Sequence, residues 1–302
     1  MRLSTFDTFK NLHSGKGVIE LTDDELKRLQ KTLLEAVRDI DAACREEGIE
    51  YWLCGGSVLG AVRHQGFIPW DDDIDLYMTR ASFERFEQVF ERHLGDEYTL
   101  LTPYRDERFI LSVPQVRKKG TYVRLRDDFY LEDHECGACI DIFVLDNAPD
   151  NALVRRLHGV GSLFLGLVAS CRKFAEHKGW FLELAGDDQG TAKTFAAKAA
   201  IGRLFAWRSE NGWARTWDRW NGRCRNEQSR LLVDPTGRTH YFGSLQPREV
   251  FEPAVRMPFD GCELPVPNDY DAYLTSHYGP DYMTPPADGH EEHHVVFGFD
   301  LE

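Results

Sequence analysis

Residues 55–78 read GGSVLGAVRHQGFIPWDDDIDLYM and place four aspartates in the five positions 71–75, between two apolar stretches. An exposed acidic run is ordinarily a solvated loop. Asp73-Ile74-Asp75-Leu76-Tyr77, however, alternates acidic and apolar positions, the period-two pattern of a half-buried strand. It predicts Ile74 and Leu76 on the core side and Asp73 and Asp75 together on the other, about 7 Å apart along the chain. Carboxylates that close repel unless a cation lies between them, and hard divalent ions such as Mg²⁺ take oxygen ligands from protein and substrate phosphates together. Asp73 and Asp75 therefore read as a metal clamp.

Immediately upstream, IEYWLCGG (49–56) reads as a short strand, Ile49–Cys54, running into Gly55, Gly56 and Ser57. A short helix is expected from Ser57 to about His64. Glycines at a strand-to-helix turn let the backbone approach a ligand closely, and helix N-terminal amides attract phosphate. Before this lies an amphipathic helix over 22–47, with Leu26, Leu29, Leu33, Val37 and Ile40 at helical spacing. Thr22 and Glu25 make a capping-box pattern at its start, and Gly48 is placed to end it. After the acidic strand a second helix is expected at about Ala81–Leu94, then strands at about 97–102, 109–117 and 121–126. A further strand from Ala138 embeds Asp141 between Ile140 and Ile142. Asp141 is either a buried carboxylate satisfied by backbone or arginine, or the third acid of the metal site.

From 151 to 231 the chain turns helical and rich in Trp, Arg and Ala, with a break expected near Gly186–Gly190. The C-terminal part suggests a hairpin across Asp260-Gly261 and a short helix from about Asp269. The expected organisation is a catalytic core over 1–150, a helical subdomain over 151–231 on the acceptor side, and a C-terminal segment over 232–302 that packs back on the core.

At 302 residues and a formal charge of −14, the chain can bury a sizeable core but is a poor match for a nucleic-acid polymer, which needs clustered Lys and Arg. A mononucleotide held through a metal remains compatible. The N-terminal stretch lacks the apolar core of a secretory signal, and the seven cysteines are odd in number and scattered, so the expected compartment is the cytoplasm. The longest apolar run, Val160–Ala169, falls short of the roughly 20 residues of a membrane span and reads as a buried helix. Its flanks, Arg155, Arg156, Arg172 and Lys173, leave peripheral contact with the inner face of an anionic membrane as the second reading.

Three segments together carry a resemblance: GGSVLGAVRHQGFIPWDDDID, then IDIFVLD, then PVPNDYDAYLTSHYGPDYM. In order and spacing they resemble the signature segments of the LicD/fukutin family, a branch of the nucleotidyltransferase-fold superfamily. The resemblance covers about 25–150 and 250–295; the helical middle matches nothing specific. It implies an α+β fold, a nucleotidyltransferase-like small mixed sheet flanked by helices with a helical insertion. Bacterial members are implied to move phosphocholine from CDP-choline onto sugars of teichoic acid or lipopolysaccharide, and eukaryotic ones ribitol phosphate from CDP-ribitol, with CMP leaving. The resemblance implies a CDP-alcohol donor, a glycan or lipid-linked glycan acceptor, and Mg²⁺ or Mn²⁺ as cofactor.

By position, Asp73 and Asp75 would be the metal-binding Asp-x-Asp, Asp141 the third acid and Asp71 a further one, while Gly55, Gly56 and Ser57 would cradle phosphate. Relatives often carry a basic residue where this chain has Gln115, so phosphate contact there would pass to Arg117. Asp141 is also the expected acceptor of the proton from the attacking hydroxyl. From the residues alone, Arg63 and His64, at the far end of the short helix that follows the diglycine, each read either as a phosphate contact or as a surface residue or ion-pair partner, with Arg63 the better phosphate candidate for its bidentate geometry. His294, in a GHEEHH cluster, falls where the family commonly has a histidine. His134, Cys136 and Cys139 offer zinc-type ligands but only half of a paired motif. Trp213, Trp217 and Trp220 share a helix face that suits either a core or an acceptor groove. The competing readings are a nucleotide-sugar glycosyltransferase, which also uses Asp-x-Asp, and an inactive binding module of the same fold.

Overall fold

The computed structural model describes residues 19–186, 188–285 and 296–301. Helix α1 spans Asp23–Glu47. The Thr22 side chain accepts the Glu25 N–H while the Glu25 carboxylate accepts the Thr22 N–H, and Gly48 ends the helix at φ 61°. Leu29, Leu33, Val37 and Ile40 form its buried face. Strand β1 is only Trp52–Leu53, shorter than the expected Ile49–Cys54, because Cys54 already serves as the N-cap of the next helix. Helix α2 covers Gly55–His64, two residues earlier than its serine suggests.

Strand β2 is Asp75–Thr79, helix α3 Arg80–His93, and strands β3 to β6 are Tyr98–Leu101, Gln115–Lys118, Tyr122–Leu125 and Cys139–Ala148. The main sheet has the order β1-β2-β6-β4-β3, with β2 and β6 parallel and the other neighbours antiparallel. The fold is α+β, a mixed sheet flanked by helices. Helices α4 (Ala152–Glu176), α5 (Lys178–Ala185), α6 (Gln189–Arg203) and α7 (Glu210–Asn221) follow. Between α5 and α6 the chain turns at Gly186, and Asp188 caps α6 by accepting the Gly190 and Thr191 N–H groups.

Strands β7 (Leu231–Val233) and β8 (Gln246–Pro247) extend the sheet beside the C-terminal end of β6. A hairpin of β9 (Val255–Phe259) and β10 (Cys262–Val266) turns at Asp260 and Gly261, both at positive φ. Helix α8, Tyr270–Tyr278, is capped by Asp269, and β11 (Val296–Asp300) pairs with β5. Phe251, Phe259, Leu264, Tyr273 and Leu274 join the same core cluster as α1, α3 and the sheet. The C-terminal segment is thereby brought against the diglycine turn.

Helix α4 corrects the expectation of a buried apolar helix. Leu157, Val160 and Phe164 are more than half exposed, whereas His158, Ser162 and Arg172 face inward. The cause is the tryptophan stripe of α7. Trp220 Nε1 donates to the His158 carbonyl at 2.8 Å and Trp217 Nε1 to Ser162 Oγ at 3.2 Å. A Cβ on Gly161 would collide with Trp220, and one on Gly166 would stand 2.8 Å from Trp217. Small and polar positions of α4 thus receive the indoles, which turns its large aliphatic residues outward. The Trp217–Trp220 face is packing between helices.

Candidate active site

The parallel register sets Asp75 opposite Asp141, and the antiparallel register of β6 with β4 sets Asp141 opposite Gln115. Side chains at one register on neighbouring strands share a face, so the three form a row. Ile74 and Leu76 are fully buried on the other side, which anchors the orientation of Asp75. The β2 backbone is clamped to the start of α2 from both directions. Cys54 N–H donates to the Asp75 carbonyl at 2.9 Å, and Asp75 N–H donates to Ser57 Oγ at 3.1 Å. Ser57 is buried, and its oxygen supports the acidic strand.

Asp73 lies outside the strand. Asp71 N–H donates to the Ile68 carbonyl at 2.9 Å, and Gln30 Nε2 from α1 donates to the Asp71 carbonyl at 2.9 Å, so residues 68–71 fold back over α2. Carboxylate oxygens of Asp71, Asp72 and Asp73 lie within 4.8 Å of one another. The tightest acidic group of the site is therefore this triplet, with the Asp75–Asp141 row beside it, and not two acids along one strand as the alternation suggests. Asp72 was not singled out by the sequence pattern; only the turn gathers it in.

Gly55 sits at φ 50°, and its N–H donates to Tyr273 Oη at 2.8 Å. A Cβ on Gly56 would stand 2.8 Å from Asp71 Oδ2, inside normal contact distance. Gly56 thus admits the acidic loop as well as any phosphate. The Tyr278 hydroxyl lies 3.7 Å from where a Gly55 Cβ would be, and burial, followed by charges that include Asp71, Asp73 and Asp75, pushes its pKa up. Tyr273 and Tyr278 escape sequence reasoning because they meet Gly55 from more than 200 positions away. Their one local signal is the Asp269-capped helix that carries both.

Arg63 lies near Asp71 and Tyr278, both of which favour its charge against the effect of burial. Its Nη1 donates to the Tyr282 carbonyl and its Nε to His64 Nε2 at 2.9 Å. Burial and then the neighbouring Arg63 charge lower the His64 pKa, in keeping with a neutral ring that accepts from Arg63. Of the two, Arg63 is the cation beside the acids.

Arg117 requires a correction. It is 2% exposed and forms a bidentate pair with Asp128, at 2.6 and 3.1 Å, so it does not line the cleft as a phosphate contact. Its Nη2 and Nε also donate to Gln115 Oε1. That fixes the amide, and Gln115 Nε2 donates in turn to Asp141 Oδ1 at 2.9 Å. Cys139, a thiol kept protonated by burial, donates to the same oxygen at 3.4 Å. His134 is exposed, while the Cys136 thiol is turned to the Glu132 carbonyl, and these two with Cys139 do not gather as a ligand set. His294 lies outside the described residues.

Residues 48–148 match the family model for the LicD/FKTN/FKRP nucleotidyltransferase domain. Lipopolysaccharide cholinephosphotransferase LicD of Haemophilus influenzae is 27% identical over 282 residues, 89% of this chain and 96% of that protein. Ribitol 5-phosphate transferase FKRP of Homo sapiens is 48% identical over 59 residues, 20% of this chain and 12% of that protein. Residues 48–148 are thus a nucleotidyltransferase domain of LicD/fukutin type. The LicD-type domain match holds the diglycine turn, the acidic loop, Gln115 and Asp141, whereas Tyr273 and Tyr278 come from beyond it.

Gly56→Ala tests the close approach in this LicD-type site. The intruding atom belongs to the far end of a flexible side chain, so the Asp71 carboxylate swings aside at little cost in stability. Alanine also favours the helix over glycine by up to about 1 kcal/mol. The expected outcome is an unchanged or slightly raised melting temperature with transfer reduced roughly 10²-fold by misplacement of the acid. Loss of stability with activity per folded molecule intact would make the glycine purely structural.

Proposed function

We propose that the chain transfers a phospho-alcohol group, phosphocholine or a close analogue, from a CDP-alcohol such as CDP-choline or CDP-ribitol to a hydroxyl of a cell-surface glycan, free or lipid-linked, in the cytoplasm or at the inner face of the membrane. The observation that carries this reading is the meeting of the Asp71–Asp73 triplet and the Asp75–Asp141 row with the glycine turn of α2. Similarity to a lipopolysaccharide cholinephosphotransferase along most of both chains supports the transferred group and the glycan acceptor.

An all-oxygen donor set fits a hard divalent cation. Asp71, Asp73, Asp75 and Asp141 would hold Mg²⁺ or Mn²⁺, which when bound neutralises charge on the donor pyrophosphate and the departing CMP. In the reaction the acceptor oxygen bonds to the phosphorus that bears the alcohol, and the bond from that phosphorus to the bridging oxygen breaks, its electron pair leaving with CMP. Asp141, oriented by Gln115, takes the acceptor proton. Arg63 offers a guanidinium to the donor phosphates, and the start of α2 offers its helix dipole.

The test is CMP release, with teichoic acid or lipopolysaccharide fragments as acceptor, from CDP-choline, CDP-ribitol and UDP-glucose, together with calorimetric binding of each donor. A CDP-alcohol is expected to bind and to yield CMP only with Mg²⁺ or Mn²⁺, and chelation should abolish both. Binding of a UDP- or GDP-sugar instead would establish the glycosyltransferase reading. Binding without turnover under every condition would make the protein a binding module.

A further inference from the structure

Helix α4 carries a continuous apolar stripe on its outer side. Leu153 is 68% exposed, Leu157 64%, Val160 55% and Phe164 53%, at spacings of four, three and four residues. From Leu153 to Leu167 the stripe runs about 21 Å along the helix. It broadens on both sides. A Cβ on Gly159 would touch the ring of Phe242, which is itself exposed, and Phe164 meets Phe205 edge-on at 6.2 Å, beside the exposed Leu204 and Trp207. Patches of this extent on a soluble surface mark contact with a partner or a membrane.

Charge identifies which. Residues 151–231 contain 14 Lys and Arg against 7 Asp and Glu, a net +7, while the remainder of the chain contains 22 against 43, a net −21. Of the 14, Arg172 and Lys198 are buried, and Lys173, Arg225 and Arg230 pair with Asp127, Glu84 and Asp150 outside the segment. No acid occurs from Asn151 to Ala175, and Arg156 on α4 and Arg203 at the C-terminal end of α6 are exposed. Arg208 stacks over Trp207, 5.4 Å from the ring, which pairs a cation with an interfacial aromatic. We propose that this face docks on an anionic phospholipid bilayer, with α4 lying in the plane of the interface. Two copies of the chain meeting here would oppose basic surface to basic surface, whereas an anionic headgroup layer complements it.

By length and hydropathy α4 could also cross a bilayer. Its inner face excludes this, since His158 is bonded to Tyr241 and the Trp220 carbonyl, Ser162 accepts from Trp217, and Arg172 is buried against α6 through the Gly202 carbonyl. Lipid all round would strip these polar partners. Docking is independent of the donor chemistry proposed above.

Flotation of the full-length protein with phosphatidylcholine vesicles, alone or with about one third phosphatidylglycerol, is the test. The protein should float with the anionic vesicles at least about tenfold more than with neutral ones, and salt should weaken the association. Val160→Asp combined with Phe164→Asp should abolish flotation with circular dichroism unchanged and the melting temperature lowered only slightly, because both side chains are more than half exposed and Phe164 gives up only its edge contact with Phe205. Arg156→Glu with Arg203→Glu should cut binding by at least about 30-fold at low salt. Failure to float with either vesicle, or equal flotation of the Asp variant, would overturn the proposal. So would a concentration-dependent dimer, dissolved by the same Asp variant, in a protein that does not float.

Discussion

Asp75→Asn is expected to reduce transfer by roughly 10³-fold or more, and Asp73→Asn likewise, because either removes a charge from the group that would bind the divalent ion and stabilise several kcal/mol of transition-state charge. The fold should not suffer. Asp75 is held by backbone, through Cys54 N–H and Ser57 Oγ, and both bonds persist in the variant. Its neighbours Ile74 and Leu76 stay in the core. Removing one negative charge from beside Asp71, Asp72 and Asp73 relieves repulsion, so the metal-free variant should melt at the same temperature as the parent or slightly higher. Rates of CMP release and calorimetric melting check the two halves. Parental turnover in either purified variant would count decisively against the acidic site.

Arg117→Met is expected to destabilise the protein by about 3–5 kcal/mol, since it leaves the Asp128 carboxylate, 1% exposed, without its bidentate partner. Activity should fall as well, by a route that involves no phosphate. Without Arg117 the Gln115 amide is free to turn over, and Asp141 loses the donor that orients it. The double variant Arg117→Met with Asp128→Asn should recover stability to within about 2 kcal/mol of the parent, because a buried pair replaced by neutral groups leaves no stranded charge. Denaturant unfolding of the three proteins separates the cases. Normal stability of the single variant with weakened donor binding would return Arg117 to the role of a phosphate contact.

What the sequence determined by itself is what neighbouring residues decide among themselves. The capping box of α1 and its glycine stop, the Asp260-Gly261 hairpin, and the alternation that buries Ile74 and Leu76 all depend on groups a few positions apart. The acids of the site were legible for the same reason, since carboxylates set among apolar residues stand out wherever the chain later goes. Register and reach belonged to the tertiary structure. Only strand pairing sets Asp75 beside Asp141, only the fold-back held by Gln30 draws Asp71, Asp72 and Asp73 together, and only the return of α8 lays Tyr273 and Tyr278 against Gly55. Arg117 could not be assigned from sequence, because a guanidinium serves a phosphate or a buried carboxylate equally well and the choice falls to whichever lies within reach, in this fold Asp128. The same holds for α4. Its apolar run reads as core by composition alone, but the indoles of α7 claim its small and polar side, and the aliphatic side is left facing outward.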